Sequence, residues 1–132
     1  MKEPFNFKNS TSLVVGGGSG IGKEIAQSLC DHGAQVIIAG RGEEKLISTH
    51  NEINENAKGL CSYCLVDVSS ETSVQNLMSQ VDSKFEGKLN ILVNSAGTNI
   101  RAPIEDVTLK DFKEVNDTNL TGTFLVTKSA QS

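Results

Sequence analysis

The sequence predicts an α/β fold, a doubly wound parallel sheet flanked by helices, on three observations. Apolar runs of strand length alternate with longer segments of helical spacing all along the chain. One of those runs, Gln35 to Ala39 (Gln-Val-Ile-Ile-Ala), is apolar without alternation, as parallel strands buried on both faces are. An apolar β-type run, Leu13 to Val15, stops at Gly16-Gly17-Gly18-Ser19-Gly20, and a helical pattern begins at Ile21. Four strands joined by right-handed crossovers give the order 3-2-1-4, with a ligand expected at the switch point between strands one and four.

In chain order, Phe7 to Val15 leads into strand one, with Phe7 as a cap on the sheet. Helix one runs from about Gly20 to His32, its apolar stripe read as Ile21, Ile25 and Leu29, and stops at Gly33. Strand two follows, then a helix from Glu43 to about Asn56 whose inward face is Leu46, His50, Ile53 and Ala57. Leu60 to Val68 is read as strand three. Ser69 or Ser70 caps a helix carrying Val74, Leu77, Met78, Val81 and Phe85, which Gly87 ends. Leu89 to Val93 is strand four, followed by a loop through Pro103. Thr108 and Asp111 form a capping-box pair that opens the last helix, expected to continue through Phe112, Val115, Asn119 and Phe124.

With 132 residues the chain holds at most one domain, and a net charge of −4 argues against a nucleic-acid or membrane-surface protein. The first ten residues have no apolar core of a leader, and no run approaches membrane-span length, so the cytoplasm is the expected location. Cys61-Ser-Tyr-Cys64 has redox or zinc spacing, yet on a strand residues three apart face opposite ways, so Cys30, Cys61 and Cys64 are read as ordinary thiols. His32 and His50 are read as helix-surface residues, and no metal site is expected.

Strand, glycine turn and helix in that order is the context in which a glycine-rich motif binds phosphate. Gly16, Gly18, Gly20 and Gly22 let the backbone turn tightly and a diphosphate approach the amide groups of the new helix. After strand two, NAD-binding proteins place an acid for the ribose 2′-hydroxyl, whereas this chain has Gly40-Arg41. A guanidinium offers a planar fork of donors to a 2′-phosphate and keeps its charge, so NADP(H) is expected over NAD(H). The competing reading pairs Arg41 with Glu43 or Glu44.

The spacing Gly16-x-x-x-Gly20-Ile21-Gly22 resembles the short-chain dehydrogenase/reductase family, whose pattern is Thr-Gly-x-x-x-Gly-Ile-Gly. Val15 stands where the family has Thr, a lost hydrogen bond worth about 1 kcal/mol. Asn94-Ser95-Ala96-Gly97 resembles the family's Asn-Asn-Ala-Gly beside the cofactor ribose, and Asp67-Val68 its acid at the adenine. Asn119-Leu120-Thr121-Gly122-Thr123-Phe124 resembles Asn-Leu-x-Gly-x-Phe of the family's long interface helix, whose Asn supports a proton-relay water. Asn116, where relatives carry an apolar residue, is a second departure.

The resemblance implies a Rossmann-like domain over residues 1–132 that binds NADP(H) through Gly16, Gly18, Ser19, Gly20, Ile21, Gly22, Arg41, Asp67, Val68, Asn94, Ala96 and Gly97. It also implies hydride transfer to or from a carbonyl or secondary alcohol, with Asn119 on the relay and homo-oligomers paired through the family's fifth helix. The family's catalytic Ser, and a Tyr followed four residues later by Lys, have no counterpart here: the one tyrosine, Tyr63, has Asp67 in that place. The chain therefore reads as a cofactor-binding half ending before the Tyr-x-x-x-Lys half. The alternatives are a short, non-catalytic nucleotide-binding protein or a methyltransferase-type nucleotide binder, against which Arg41 and the Asn94 to Gly97 motif speak.

Overall fold

Four parallel strands, β1 (Thr11–Val15), β2 (Gln35–Gly40), β3 (Cys61–Leu65) and β4 (Ile91–Asn94), pair in the order β3-β2-β1-β4. The computed structural model describes residues 7–18, 20–57, 59–95, 104–116 and 126. Helices α1 (Gly20–Asp31), α2 (Glu43–Asn56), α3 (Glu71–Phe85) and α4 (Leu109–Asn116) alternate with the strands, and a 3-10 turn spans Ile104–Asp106. The expected strand order is the observed one.

The sheet is covered on both faces, which is why its two inner strands are apolar beyond their first residues, Thr11, Ser12 and Gln35. On one face Val14, Val36 and Ile38 pack with Ala26, Leu29 and Cys30 of α1 and Leu46 and Ile53 of α2. On the other, Leu13, Val15, Ile37 and Ala39 pack with Val74, Leu77, Val81 and Phe85 of α3, joined by Val126. Cys61 and Cys64 fall on opposite faces, as period-two geometry requires, so the two thiols cannot share a ligand. Cys61 instead meets Cys30. The neighbouring Cys30 thiol, together with burial, pushes the Cys61 thiol far up.

The stripe of α1 is turned one residue from the expected one. Gly22, Ala26, Leu29 and Cys30 are buried, whereas Ile21 is 74% exposed. Gly22 faces inward because only a residue without Cβ lets the helix start close against the preceding turn. Likewise the inward residues of α2 are Leu46, Thr49 and Ile53, with His50 only half-buried against the Tyr63 ring at 5.2 Å.

Ladder ends also differ. β3 stops at Leu65, although Val66 and Val68 stay buried beyond it. β4 starts two residues later than expected, because Asn90 is engaged at the Thr11 backbone by its side chain, 2.9 Å, before regular pairing begins. At the end of α3 Glu86 (φ 56°) and Gly87 (φ 76°) are both left-handed, so the closing turn begins one residue before the expected glycine. Ser70 is the N-cap of α3, accepting from the Ser73 amide at 3.2 Å, and Thr108 accepts from the Asp111 amide at 3.0 Å. The side chains of Phe112, Val115 and Phe124 lie outside what is described.

Ser12, at the centre of the sheet, is fully buried and its hydroxyl has no hydrogen-bond partner among the described residues. An unpaired buried hydroxyl costs more than it returns. Ser12→Ala is therefore expected to raise stability by about 1 kcal/mol, read as a higher urea midpoint at unchanged slope. A lower midpoint would show that the hydroxyl is bonded after all.

Candidate nucleotide-binding site

All four strands run the same way, so their carboxyl ends share one edge, and the residues singled out by spacing collect there. The Gly16 amide donates to the Ala39 carbonyl at 2.7 Å, and the Ser95 amide donates to the Val15 carbonyl at 2.8 Å. The second bond ties the glycine turn to the end of β4 through main chain, at the place where Val15 lacks a hydroxyl. The Val66 amide donates to the Gly40 carbonyl at 2.8 Å, bringing Asp67 beside Arg41.

Within the turn the glycines do different things. Gly16 (φ 85°) and Gly20 (φ 59°) hold left-handed backbone. A Cβ on Gly22 would stand 2.1 Å from the Gly16 carbonyl oxygen, so α1 can begin here only with glycine. A Cβ on Gly17 would lie 2.7 Å from Ile38 Cγ2, which makes Gly17 a packing requirement that the motif spacing did not reveal. Gly18 is less constrained, with Leu46 Cδ2 at 3.4 Å from its ideal Cβ. The first turn of α1 contains no acidic residue, so no side-chain carboxylate competes with an anion at its amides. Ile21 stands exposed in that same turn.

Between this turn and the end of β2 lies a cleft of about 140 Å³. Gly16 and Gly18 form one wall, Gly40 and Arg41 the other, and Lys45 and Leu46 of α2 close it. Two cations thus border one cleft. Among the described residues Arg41 is not ion-paired with Glu43 or Glu44; the pair within 4.0 Å is Lys23 with Glu52, at 2.7 Å between α1 and α2. Asp67 is held below the ordinary carboxylate range by the Ser69 hydroxyl, helped by the Ser69 amide and the Arg41 charge. Both Ser69 bonds fall on Oδ1, at 2.6 and 3.0 Å.

Of the residues expected at the site, Gly16, Gly18, Gly20, Ile21, Gly22, Arg41, Asp67 and Asn94 stand along this one edge. Val68 turns its side chain into the core on the α3 face, 6% exposed, so only its main chain is available. Ser19, Ala96, Gly97 and Asn119 lie outside the described residues. Sequence reasoning missed Lys45 and Thr49. The signal for Lys45 was available: it is the third residue of α2, four positions after Arg41.

An open parallel sheet with this strand order, and a glycine turn feeding a helix at the switch point, defines the dinucleotide-binding class of doubly wound folds. The family described as short chain dehydrogenase matches residues 10–132, and the chain belongs to that family, whose members are oxidoreductases that bind nicotinamide dinucleotides. A tropinone reductase homolog of Arabidopsis thaliana is 38% identical over 124 residues, 93% of this chain and 38% of that protein. A short-chain type dehydrogenase/reductase from Mycobacterium ulcerans superposes with a TM-score of 0.88 at 33% identity, covering 96% of this chain and 46% of that one. A variant actinorhodin polyketide ketoreductase, solved with NADPH, superposes at 0.86 with 34% identity, covering 93% of this chain and 46% of that one. The chain thus spans less than half of each of these relatives. No helix among the described residues is long and apolar enough to cross a membrane.

Proposed function

We propose that this chain is the NADP(H)-binding part of a short-chain oxidoreductase that moves hydride between a nicotinamide and a carbonyl or secondary alcohol. The observation that carries the cofactor preference is the cleft bordered by Arg41 and Lys45, with neither Glu43 nor Glu44 occupying the guanidinium. A 2′-phosphate fits such a pair of cations, whereas a bare ribose hydroxyl brings no charge to meet them. The residues present also fit the rest of the dinucleotide. Gly22 lets α1 start against the turn, and among the described residues nothing stands within 4 Å of the Cβ position of Gly20.

In this reading Gly16, Gly18, Ser19, Gly20, Ile21 and Gly22 hold the diphosphate, and Arg41 with Lys45 holds the 2′-phosphate. Asp67 accepts from the adenine amino group through Oδ2, beside the Val68 main chain, and its low pKa keeps it an acceptor at neutral pH. Asn94, Ala96 and Gly97 line the ribose, and Asn119 supports a proton-relay water. Once bound, the nicotinamide supplies the hydride donor or acceptor. The family's catalytic Ser, Tyr and Lys belong to the part of its relatives that this chain does not match. Cytoplasmic location and pairing through the long interface helix complete the proposal.

Titration of the purified protein with NADPH and NADH, followed by nicotinamide fluorescence, tests it. NADPH is expected to bind at least about tenfold more tightly, the equivalent of about one charge-assisted hydrogen bond. Tighter binding of NADH would overturn the preference.

A further inference from the structure

The clearest unexplained contact at the site is one that no motif contains. Thr49, in the second turn of α2, is 2% exposed, and its hydroxyl donates to the Gly18 carbonyl at 2.8 Å. Thr49 is 31 residues from Gly18 in sequence, so the contact exists only because α1 and α2 pack on the same face of the sheet.

A peptide carbonyl is the negative end of its dipole, and a glycine-rich turn has little side-chain packing to decide which way each carbonyl faces. Bonded to a buried hydroxyl, the Gly18 carbonyl is turned into the protein, away from an anion that approaches the turn. Leu46, one turn earlier on α2 and 1% exposed, closes the same side of Gly18. We infer that Thr49 is a positioning residue for the diphosphate turn: it fixes the Gly18 peptide in the orientation that accepts an anion. This rests on the cofactor reading above, and it places the determinant on the helix that also carries Lys45 of the 2′-phosphate cleft.

The test separates the turn from the rest of the site by using three probes on the purified full-length protein. NADPH and NADH both carry the diphosphate, whereas 2′-AMP carries the 2′-phosphate and no diphosphate. Thr49→Val, which keeps the shape and removes the hydroxyl, is expected to weaken NADPH and NADH alike by about tenfold. The affinity for 2′-AMP should stay at the wild-type value. Thr49→Ser, which keeps the hydroxyl, should bind all three as the wild type does.

Unchanged dinucleotide binding by Thr49→Val would overturn the inference. So would parallel loss of 2′-AMP, which would show that Thr49 only holds α2 in place, or equal loss in Thr49→Ser, which would assign the effect to methyl packing. Failure of the folded wild-type protein to bind either dinucleotide would instead remove the cofactor reading on which this one stands.

Discussion

Gly22→Ala is expected to remove dinucleotide binding almost completely while leaving a folded protein. The added Cβ would lie 2.1 Å from the Gly16 carbonyl oxygen, 2.8 Å from its carbon and 3.2 Å from Gly17 Cα. All three are main-chain atoms, so no rotamer change can relieve the contact. Helix α1 must retreat from the turn by roughly 1 Å to reach ordinary contact distances. The strain is of the overpacking kind and costs about 1–3 kcal/mol of stability. Binding suffers more than folding, because the displaced turn and helix start are the anion site itself. Loss of two hydrogen bonds to a charged group, each worth about 1.5–3 kcal/mol, weakens binding by at least about a hundredfold. Titration with NADPH beside a thermal unfolding curve measures both effects. Gly18→Ala is expected to cost less stability than Gly22→Ala, since among the described residues its Cβ would meet nothing closer than Leu46 Cδ2 at 3.4 Å. Wild-type affinity in a folded Gly22→Ala protein would sink the assignment of the turn as the diphosphate site.

Arg41→Ala is expected to weaken NADPH by about 10- to 100-fold, the range of charge-assisted hydrogen bonds of about 1.5–3 kcal/mol, and to leave NADH unchanged. The asymmetry follows from position. Arg41 borders the cleft beyond β2 and is not engaged by Glu43 or Glu44, so its charge is available to a ligand. Arg41→Asp goes further, because a carboxylate there repels a 2′-phosphate and accepts from ribose hydroxyls, the arrangement of NAD-binding proteins. It is expected to reverse the preference. Lys45→Ala should act in the same direction as Arg41→Ala but less strongly, since an ammonium is a point charge without the planar fork. Equal loss of NADPH and NADH in Arg41→Ala would show that Arg41 supports the fold rather than reads the phosphate.

Much of the fold was legible. Helix α2 has the bounds read from its pattern, Glu43 to about Asn56; of the two serines read as candidate caps of α3 it is Ser70 that caps it, and Thr108 caps α4 as expected. Such features depend on a few neighbouring residues, which is why they survive without tertiary information. The α1 stripe was not legible. Ile21 looks like a core residue by hydrophobicity and spacing, but the approach of Gly22 to Gly16 sets the rotation of the helix and leaves Ile21 outside. Glycine is the residue that most easily takes the left-handed conformation closing a helix. At the end of α3 Gly87 takes it as expected, and Glu86 before it takes it too. The start of β4 was displaced by tertiary contact too, through the Thr11 and Asn90 bond across 79 residues.

The sequence by itself determined the alternation of strands and helices, their parallel order, the glycine turn at the switch point and the cation after strand two. Each is carried by periodicity or by spacing within a short segment, where local stereochemistry leaves few choices. Only the tertiary structure decided which glycines are required for space, that Lys45 joins Arg41 at one cleft, that Glu43 and Glu44 form no ion pair with Arg41, and that the Thr49 hydroxyl bonds the Gly18 carbonyl. Those outcomes depend on how closely segments remote in sequence approach one another, and that distance is set by the packing of whole helices on the sheet.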